Sequence, residues 1–380
     1  MKKQLLVLSL LAASLPSHAI YNLYKKDGLS LDINGEVNLY LEQDKATSES
    51  QLANIQNELT DEKLRLFPDE GASWVDFRAS QELPNEWRAT GTLGLGYARG
   101  NGSAFLNSAN LSFDKLNKGA ITLGRQYLHT GFVARTGTYS PLDVFGEQAV
   151  RLDFYGVDNL HTSAYYLLPS SSDVRSRSNS TKTEGFGASG SYTIPFSTDH
   201  SLRVAAGYSN SKANPRDLDR YSPKSDAYAA SLEYRFGKLL AAADYGRKDI
   251  KLGGNLLAKS TSDNAGVKLG FAVSPRLNLM AGYGVRKHDA TYHDGVPAQA
   301  VNATIFNSIM SSGVLASTGV GFLYDNLTEK MTFVRGDYYM RDNVRVYGQV
   351  QNETIEGELT DATKDSVEDT SYRLGVSLTF

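Results

Sequence analysis

Residues 228–245 read Tyr-Ala-Ala-Ser-Leu-Glu-Tyr-Arg-Phe-Gly-Lys-Leu-Leu-Ala-Ala-Ala-Asp-Tyr. Tyr228, Ala230, Leu232, Tyr234 and Phe236 occupy every second position up to Gly237-Lys238, and Leu239, Ala241, Ala243 and Tyr245 then resume the alternation. Successive side chains of a strand point to opposite faces, so the stretch is a hairpin with one apolar face. The same period begins at Leu29, Leu31, Ile33, Val37, Leu39 and Leu41, with Asp32, Asn34, Glu36 and Asn38 on the other face. It returns at 87–97, 105–113, 160–168, 186–196, 202–208, 265–273 and 277–285. Each run is about ten residues long, the length a tilted strand needs to cross a bilayer.

Alternation alone also suits a soluble sandwich, and the connections separate the two. Short turns (Pro84-Asn85-Glu86, Asp114 to Gly119, Asp158-Asn159, Ser197 to His200, Gly237-Lys238, Ser274-Pro275-Arg276, Arg341-Asp342) alternate with long segments at 42–70, 127–149, 169–184, 210–224, 249–262, 287–316 and 354–368. That asymmetry belongs to a transmembrane barrel whose two rims face different compartments, and tyrosines at the strand ends fit its aromatic girdles. Direct counting gives seventeen strands if 316–325 is one, whereas such barrels have an even number. Folding 316–325 into the seventh long loop or the next strand gives sixteen, the expected number; pairing it with 301–310 gives eighteen. Val301, Ile305 and Ile309 also fit a helical period, and a second loop helix is expected at 50–66, with Leu52, Ile55 and Leu59 on one face after possible caps Ser48 and Ser50.

Composition points the same way. The 380 residues contain Gly 34, Tyr 22, Pro 10 and Trp 2, and the mean hydropathy is negative, unlike a bundle of membrane helices. Lys2 and Lys3, the apolar run from Leu5 to Leu15 and the small-residue site Ser17-His18-Ala19 have the form of a signal peptide over 1–19. The mature chain, 20–380, is then expected to be a single barrel exported to the cell outer membrane. The formal net charge of −3, slightly more acidic without Lys2 and Lys3, offers no basic stripe for nucleic acid. The absence of cysteine excludes disulfides and thiolate metal sites.

The C-terminus carries the most specific signal. Tyr372, Leu374, Val376, Leu378 and Phe380 form an apolar row ending on Phe, which resembles the terminal strand by which outer-membrane barrels are recognised by their assembly machinery. Ile20-Tyr21-Asn22, Lys26-Asp27-Gly28 and Asp32-Ile33-Asn34-Gly35 resemble the opening strand of the general Gram-negative porins. So do Leu123-Gly124-Arg125-Gln126-Tyr127 before the third long loop and Gly156-Val157-Asp158-Asn159-Leu160 at the next turn. The resemblance implies a homotrimer of sixteen-stranded, water-filled pores set in outer-membrane lipid and lipopolysaccharide and passing small hydrophilic solutes. Each pore is narrowed by its third loop, whose acids face bases on the wall.

Carried onto this chain, the resemblance makes Asp143 and Glu147, in Ser140-Pro141-Leu142-Asp143-Val144-Phe145-Gly146-Glu147, the candidate acids, with Arg78 and Arg151 opposite. Arg125 and Arg135 are weaker candidates, since the Gly-Arg-x-Tyr arginine of the family can also meet a loop. Glu36 stands where the family commonly has a lumen lysine, and Asn107 where a wall arginine is expected, which thins the basic wall and implies weak cation preference.

Other readings have less support. His129, Ser140 and Asp143 lie close in sequence, but there is no Gly-x-Ser-x-Gly elbow and no zinc-protease spacing, so no catalytic residue, cofactor or metal site is expected. His288 and His293 are expected to be solvated loop residues. A sugar-selective channel would stack aromatics along the lumen, and Trp74 and Tyr155 supply only fragments of such a track. The first strand begins so close to the signal that no plug domain is expected.

Overall fold

The computed structural model describes residues 21–50, 55–68, 73–98, 103–169, 182–214, 224–251, 259–291, 324–359 and 364–380. The alternating runs become β1 (Tyr21–Lys26), β2 (Leu29–Ser50), β3 (Ile55–Pro68), β4 (Trp74–Leu83), β5 (Trp87–Ala98), β6 (Ser103–Lys115), β7 (Gly119–Tyr127), β8 (Phe145–Val157) and β9 (Leu160–Leu167). They continue as β10 (Lys182–Ser197), β11 (His200–Asn214), β12 (Lys224–Phe236), β13 (Leu239–Lys251), β14 (Lys259–Ser274), β15 (Leu277–Thr291), β16 (Tyr324–Arg341), β17 (Val344–Leu359) and β18 (Lys364–Thr379).

From β4 onward each strand pairs antiparallel with the next, and β18 pairs with β2, from Thr379↔Glu36 to Asp365↔Ser50. The other edge of β2 pairs with β4 along Leu29 to Glu36 and with β3 along Leu39 to Ser50. β3 and β4 thus share one position in the wall, and the ring closes at sixteen positions. β1 is extra, pairing with the start of β2 (Tyr21↔Ile33, Lys26↔Leu29) where β18 has ended. The outward face is apolar: Leu269 is 66% exposed and Leu374 57%. Such a belt of bare aliphatic side chains is stable against lipid, not water. Among the described residues no helix is long and apolar enough to cross a membrane.

The short connections are tight because left-handed backbone sits in them: Asp27 (φ 52°), Asn85 (φ 61°), Asn117 (φ 56°) and Asn159 (φ 63°). Asn and Asp tolerate that region, and it matches the right-handed twist of paired strands. The long side differs from expectation. Of the expected helix 50–66, residues 51–54 lie outside the described residues, and Ile55–Pro68 is a strand in register with β2 (Ser50↔Ile55, Tyr40↔Phe67). Without β3 the upper half of β2 would present an open row of backbone groups on that edge, and a ladder that satisfies them outweighs the helical period of Leu52, Ile55 and Leu59. Several other outer segments are likewise shortened, because pairing continues to Asn214, Lys251 and Leu359. The segment 301–310 and most of 316–325 lie outside the described residues, as does the signal.

The connection between β7 and β8 folds inward. Residues 128–144 leave β7 through a single 3-10 turn, His129–Phe132, and lie against the inner wall of β9 to β15. Leu128 packs with Ala149, Tyr165 and Leu167, and Val133 and Leu142 pack with Ala205, Ala227 and Ala229. Wall glycines make the seat. A Cβ on Gly207 would come within 2.8 Å of Leu142, on Gly246 within 2.6 Å of Pro141, and on Gly266 within 2.4 Å of the Thr138 hydroxyl. Asp244 on β13 pins the outgoing arm: its carboxylate accepts the amides of Arg135 (2.9 Å) and Thr136 (2.8 Å) and the Thr136 hydroxyl (2.6 Å). Ser231 Oγ donates to the Val133 carbonyl (2.5 Å) and Lys268 Nζ to that of Arg135. Among the described residues, both clusters of buried apolar side chains lie between this loop and its wall.

Two outcomes follow from these contacts. Gly35 and Phe380 exchange both backbone hydrogen bonds (2.8 and 2.9 Å), and a Cβ on Gly35 would meet the Phe380 ring at 2.8 Å. In gels of unboiled protein, where the folded barrel should migrate faster than the boiled chain, Gly35→Val or deletion of Phe380 should remove most of the fast band; equal folded yield would refute this role of the seam. For the loop, hydrogen bonds to a charged acceptor contribute about 1.5–3 kcal/mol, so Asp244→Ala should speed amide exchange at Arg135 and Thr136 by about tenfold or more. The exchange of neighbouring strand amides should stay as in the parent chain.

Candidate functional site

The residues singled out from the sequence do not meet as one eyelet. Asp143 lies on the returning arm of the loop: Tyr165 Oη donates to its carboxylate (3.3 Å), its amide donates to Ser209 Oγ (3.4 Å), and its carbonyl accepts from Thr130 Oγ1. Arg78, on β4, pairs with Asp76 of its own strand (3.2 Å). Arg151, on β8, pairs with Asp153 (2.8 Å) and donates to the Tyr127 carbonyl (2.5 Å). Glu36 accepts from Ser377 (2.5 Å) and Arg345 (3.4 Å). All four belong to the inner face or the loop, yet no ion pair joins either loop acid to Arg78 or Arg151.

Glu147 and Arg125 pair with each other (3.2 Å), and Arg125 covers the Phe145 ring at 4.6 Å. Their face is the outer one. Arg125 stands opposite Ala109, which stands opposite Leu93, an outward residue 50% exposed. On β7 Arg125 keeps the parity of the outward Ile121 and Leu123. On β8 the pairs Gly124↔Ala149 and Gln126↔Gly146 leave Glu147 and Gln148 opposite the single residue Arg125, a bulge whose extra residue turns Glu147 away from the inward face of Ala149 and Arg151. Gln126 keeps the inward parity of Thr122 and donates to the carbonyls of Thr122 (3.1 Å) and Ala149 (3.2 Å). Placing Glu147 and Arg125 in the lumen is corrected on this register.

The basic wall is not missing but displaced to the end of the chain. Arg335, Arg345 and Arg373 lie on the inner faces of β16, β17 and β18. Arg335 pairs with Asp337 (2.9 Å), Arg345 with Glu36, and Arg373 with Glu42 (2.6 Å). Tyr347 lies between Arg335 and Arg345, 4.3 and 5.5 Å from its ring, and Tyr40 lies under Arg373 at 5.6 Å. The sequence carried a signal for part of this: Asp76/Arg78, Arg151/Asp153, Glu233/Arg235 and Arg335/Asp337 are opposite charges two residues apart, hence neighbours on one face of a strand.

The loop tip reaches β15 and β17. Tyr139 lies under Arg286 (4.5 Å) and its hydroxyl donates to Glu353 (3.5 Å); burial and then the Glu353 charge hold the phenol above its ordinary pKa. Beside it the fully buried Glu329 takes both Arg286 and His288 (3.1 Å). His288 is thus a wall residue with a carboxylate partner, not a solvated loop histidine, and His293 lies outside the described residues. His129, Ser140 and Asp143 do not assemble either, since His129 stacks on His161, ring centres 3.8 Å apart. The arrangement as a whole is an inner face rich in paired charge, crossed by a pinned loop.

Residues 6–358 match the family model described as Gram-negative porin. No curated protein matches the chain. Among solved structures it is similar to the trimer form of OmpT, an outer membrane protein of Vibrio cholerae (12% identity, 93% of this chain and 100% of that one, TM-score 0.60). It is also similar to an anion-selective porin from Comamonas acidovorans (11%, 93% and 100%, 0.60) and to the outer membrane channel DcaP of Acinetobacter baumannii (11%, 94% and 99%, 0.61). At such identities these structures share the fold, and the family match supplies the rest: the chain belongs to the Gram-negative porins and forms a channel of the outer membrane.

Proposed function

We propose that the channel admits small hydrophilic solutes and ions by passive diffusion, with a weak preference for cations, and that the chain acts as a pore rather than a catalyst. The observation that carries this reading is the loop 128–144, seated on wall glycines and held by Asp244, which narrows an otherwise open ring. A charge in a narrow, poorly hydrated passage acts on a passing ion with far less screening than a surface charge. The arginines of the wall are largely neutralised by Asp76, Glu36, Asp337 and Glu42, which leaves the field of Asp143 on the loop less opposed and favours cations.

Reversal potentials across a bilayer under a salt gradient test this. Asp143→Asn should lower the cation/anion permeability ratio, and Arg78→Gln or Arg345→Gln should raise it. Glu147→Gln should leave it unchanged, because that side chain is on the outer face. Unchanged potentials in all the inner-face variants, with conductance intact, would mean that the loop does not form the selective constriction.

The same reading includes a cleaved leader over 1–19, recognition by the assembly machinery through Phe380, insertion among lipid and lipopolysaccharide, and a homotrimer. Two features of the outer face favour the trimer. Ala79, Ala89 and Gly91 form a shallow patch on β4 and β5, Gly91 having nothing within 4 Å of a built Cβ, and small residues allow close approach of another surface. Nearby, the Arg125–Glu147 pair faces outward, where contact with hydrocarbon is costly and contact with protein is not. The similar OmpT chain is described in a trimer form. Cross-linking in native membranes should yield a band at three times the chain mass, and a pattern of monomers alone would exclude it.

A further inference from the structure

Where the inward loop leaves β7, it brings one histidine onto another. His129, in the 3-10 turn, lies face to tilted face with His161 of β9, ring centres 3.8 Å apart and planes at 55°. Behind His161 is Asp153 of β8, its Oδ1 3.7 Å from His161 Nε2. The Asp153 side chain is only 6% exposed and its other oxygen takes the Arg151 Nε at 2.8 Å. Oδ1 itself is buried with no hydrogen-bond partner, and so is His161 Nε2. A buried carboxylate oxygen left unpaired is costly, and the group nearest to relieving it is an N–H on His161 Nε2.

Channel function uses none of this. The cluster lies at the base of the loop, and its members play no part in seating the loop on β11 to β15. We propose that His129 and His161 form a chelate for a divalent transition-metal ion of the zinc or copper class, tying the base of the inward loop to the wall. Protonating His161 at Nε2, toward Asp153, leaves Nδ1 as the metal-binding lone pair. That is the carboxylate–histidine–metal arrangement in which an outer carboxylate fixes the tautomer and strengthens the ligand. Imidazole nitrogen selects zinc, copper and nickel over magnesium and calcium, which prefer oxygen. Among the described residues no three His, Cys, Asp or Glu side chains already converge on one point, so the chelate has two protein ligands and water completes it, with Asp153 in the supporting position.

Aromatic rings close the pair on its other sides: Tyr155 lies edge-on to His161, ring centres 6.0 Å apart, and Phe132 lies beside His129 at 5.3 Å.

The test is calorimetric titration of the folded, full-length protein in detergent with zinc chloride at neutral pH, and with magnesium chloride as the contrast. One zinc per chain is expected, with no response to magnesium. His129→Gln and His161→Gln should each abolish saturable binding, and Asp153→Asn should weaken it by about 10–100-fold, the usual effect of removing an outer carboxylate. Copper(II) loaded in place of zinc should show nitrogen hyperfine structure in its electron paramagnetic resonance spectrum, lost in either histidine variant. Retention of the heat-dependent gel shift in every variant establishes that the barrel is folded. Absence of saturable zinc binding in the parent protein, or equal binding in both histidine variants, would overturn the proposal.

Discussion

An amide group inside hydrocarbon has no water to bond, so a sheet that crosses a membrane must leave no edge. The pairing of β18 with β2 meets that demand, and the rest of this molecule depends on it. Once the ring is closed, every strand must show lipid an apolar side chain at each second position, and the alternate positions are free to carry charge into the interior. The inner face here uses that freedom for opposite charges two residues apart, which neutralise each other without leaving their strand. Fixed, paired charges line the water without drawing the wall inward.

The inward loop is a second-order structure built on that wall. A chain crossing a wet cavity has amides to satisfy and little apolar surface to bury, and both needs are met locally. Small residues at Ala205, Gly207, Ala227, Ala229 and Gly246 lower the wall enough for Val133, Pro141 and Leu142 to touch it, and Gly266 does the same for Thr136 and Thr138. Asp244 takes up the amides that a loop would otherwise present to water. The loop's position inside the barrel is therefore set as much by what is missing from the wall, the Cβ atoms of its glycines, as by the loop's own side chains.

Much of this was legible in the sequence because a period of two survives any loop insertion. The strands, the tight turns carrying Asn and Asp and the closing row from Tyr372 to Phe380 could be read from alternation and turn chemistry, and the inward third loop from the porin resemblance. The failures have physical causes. Residues 50–66 carry a helical period at Leu52, Ile55 and Leu59, yet the exposed upper edge of β2 recruits 55–68 as a strand. Glu147 lies in a bulge of β8, where one extra residue between Gly146 and Ala149 inverts its inside/outside assignment, and Arg125 shares the outward parity of Ile121 and Leu123. Arg335, Arg345 and Arg373 belong to no motif of the early strands, and only closure of the ring brings the last strands beside the first. Asp244 and the His129–His161 pair depend on the path of the loop through space, on which local periodicity is silent.

The same seam has a consequence for the order of events in folding. Arg373 and Glu42, joined across it, are 331 residues apart in the chain, whereas most other neighbouring strands are consecutive hairpins. Contacts between consecutive strands close short loops, and this one closes nearly the whole polypeptide, the largest entropic cost in the topology. The ring therefore completes late, after the chain has been delivered to its end, and until then both β2 and β18 present bare edges able to pair with any other strand. A terminal recognition signal placed on the strand that closes the ring would mark a chain as complete at the moment when its edges most need shielding.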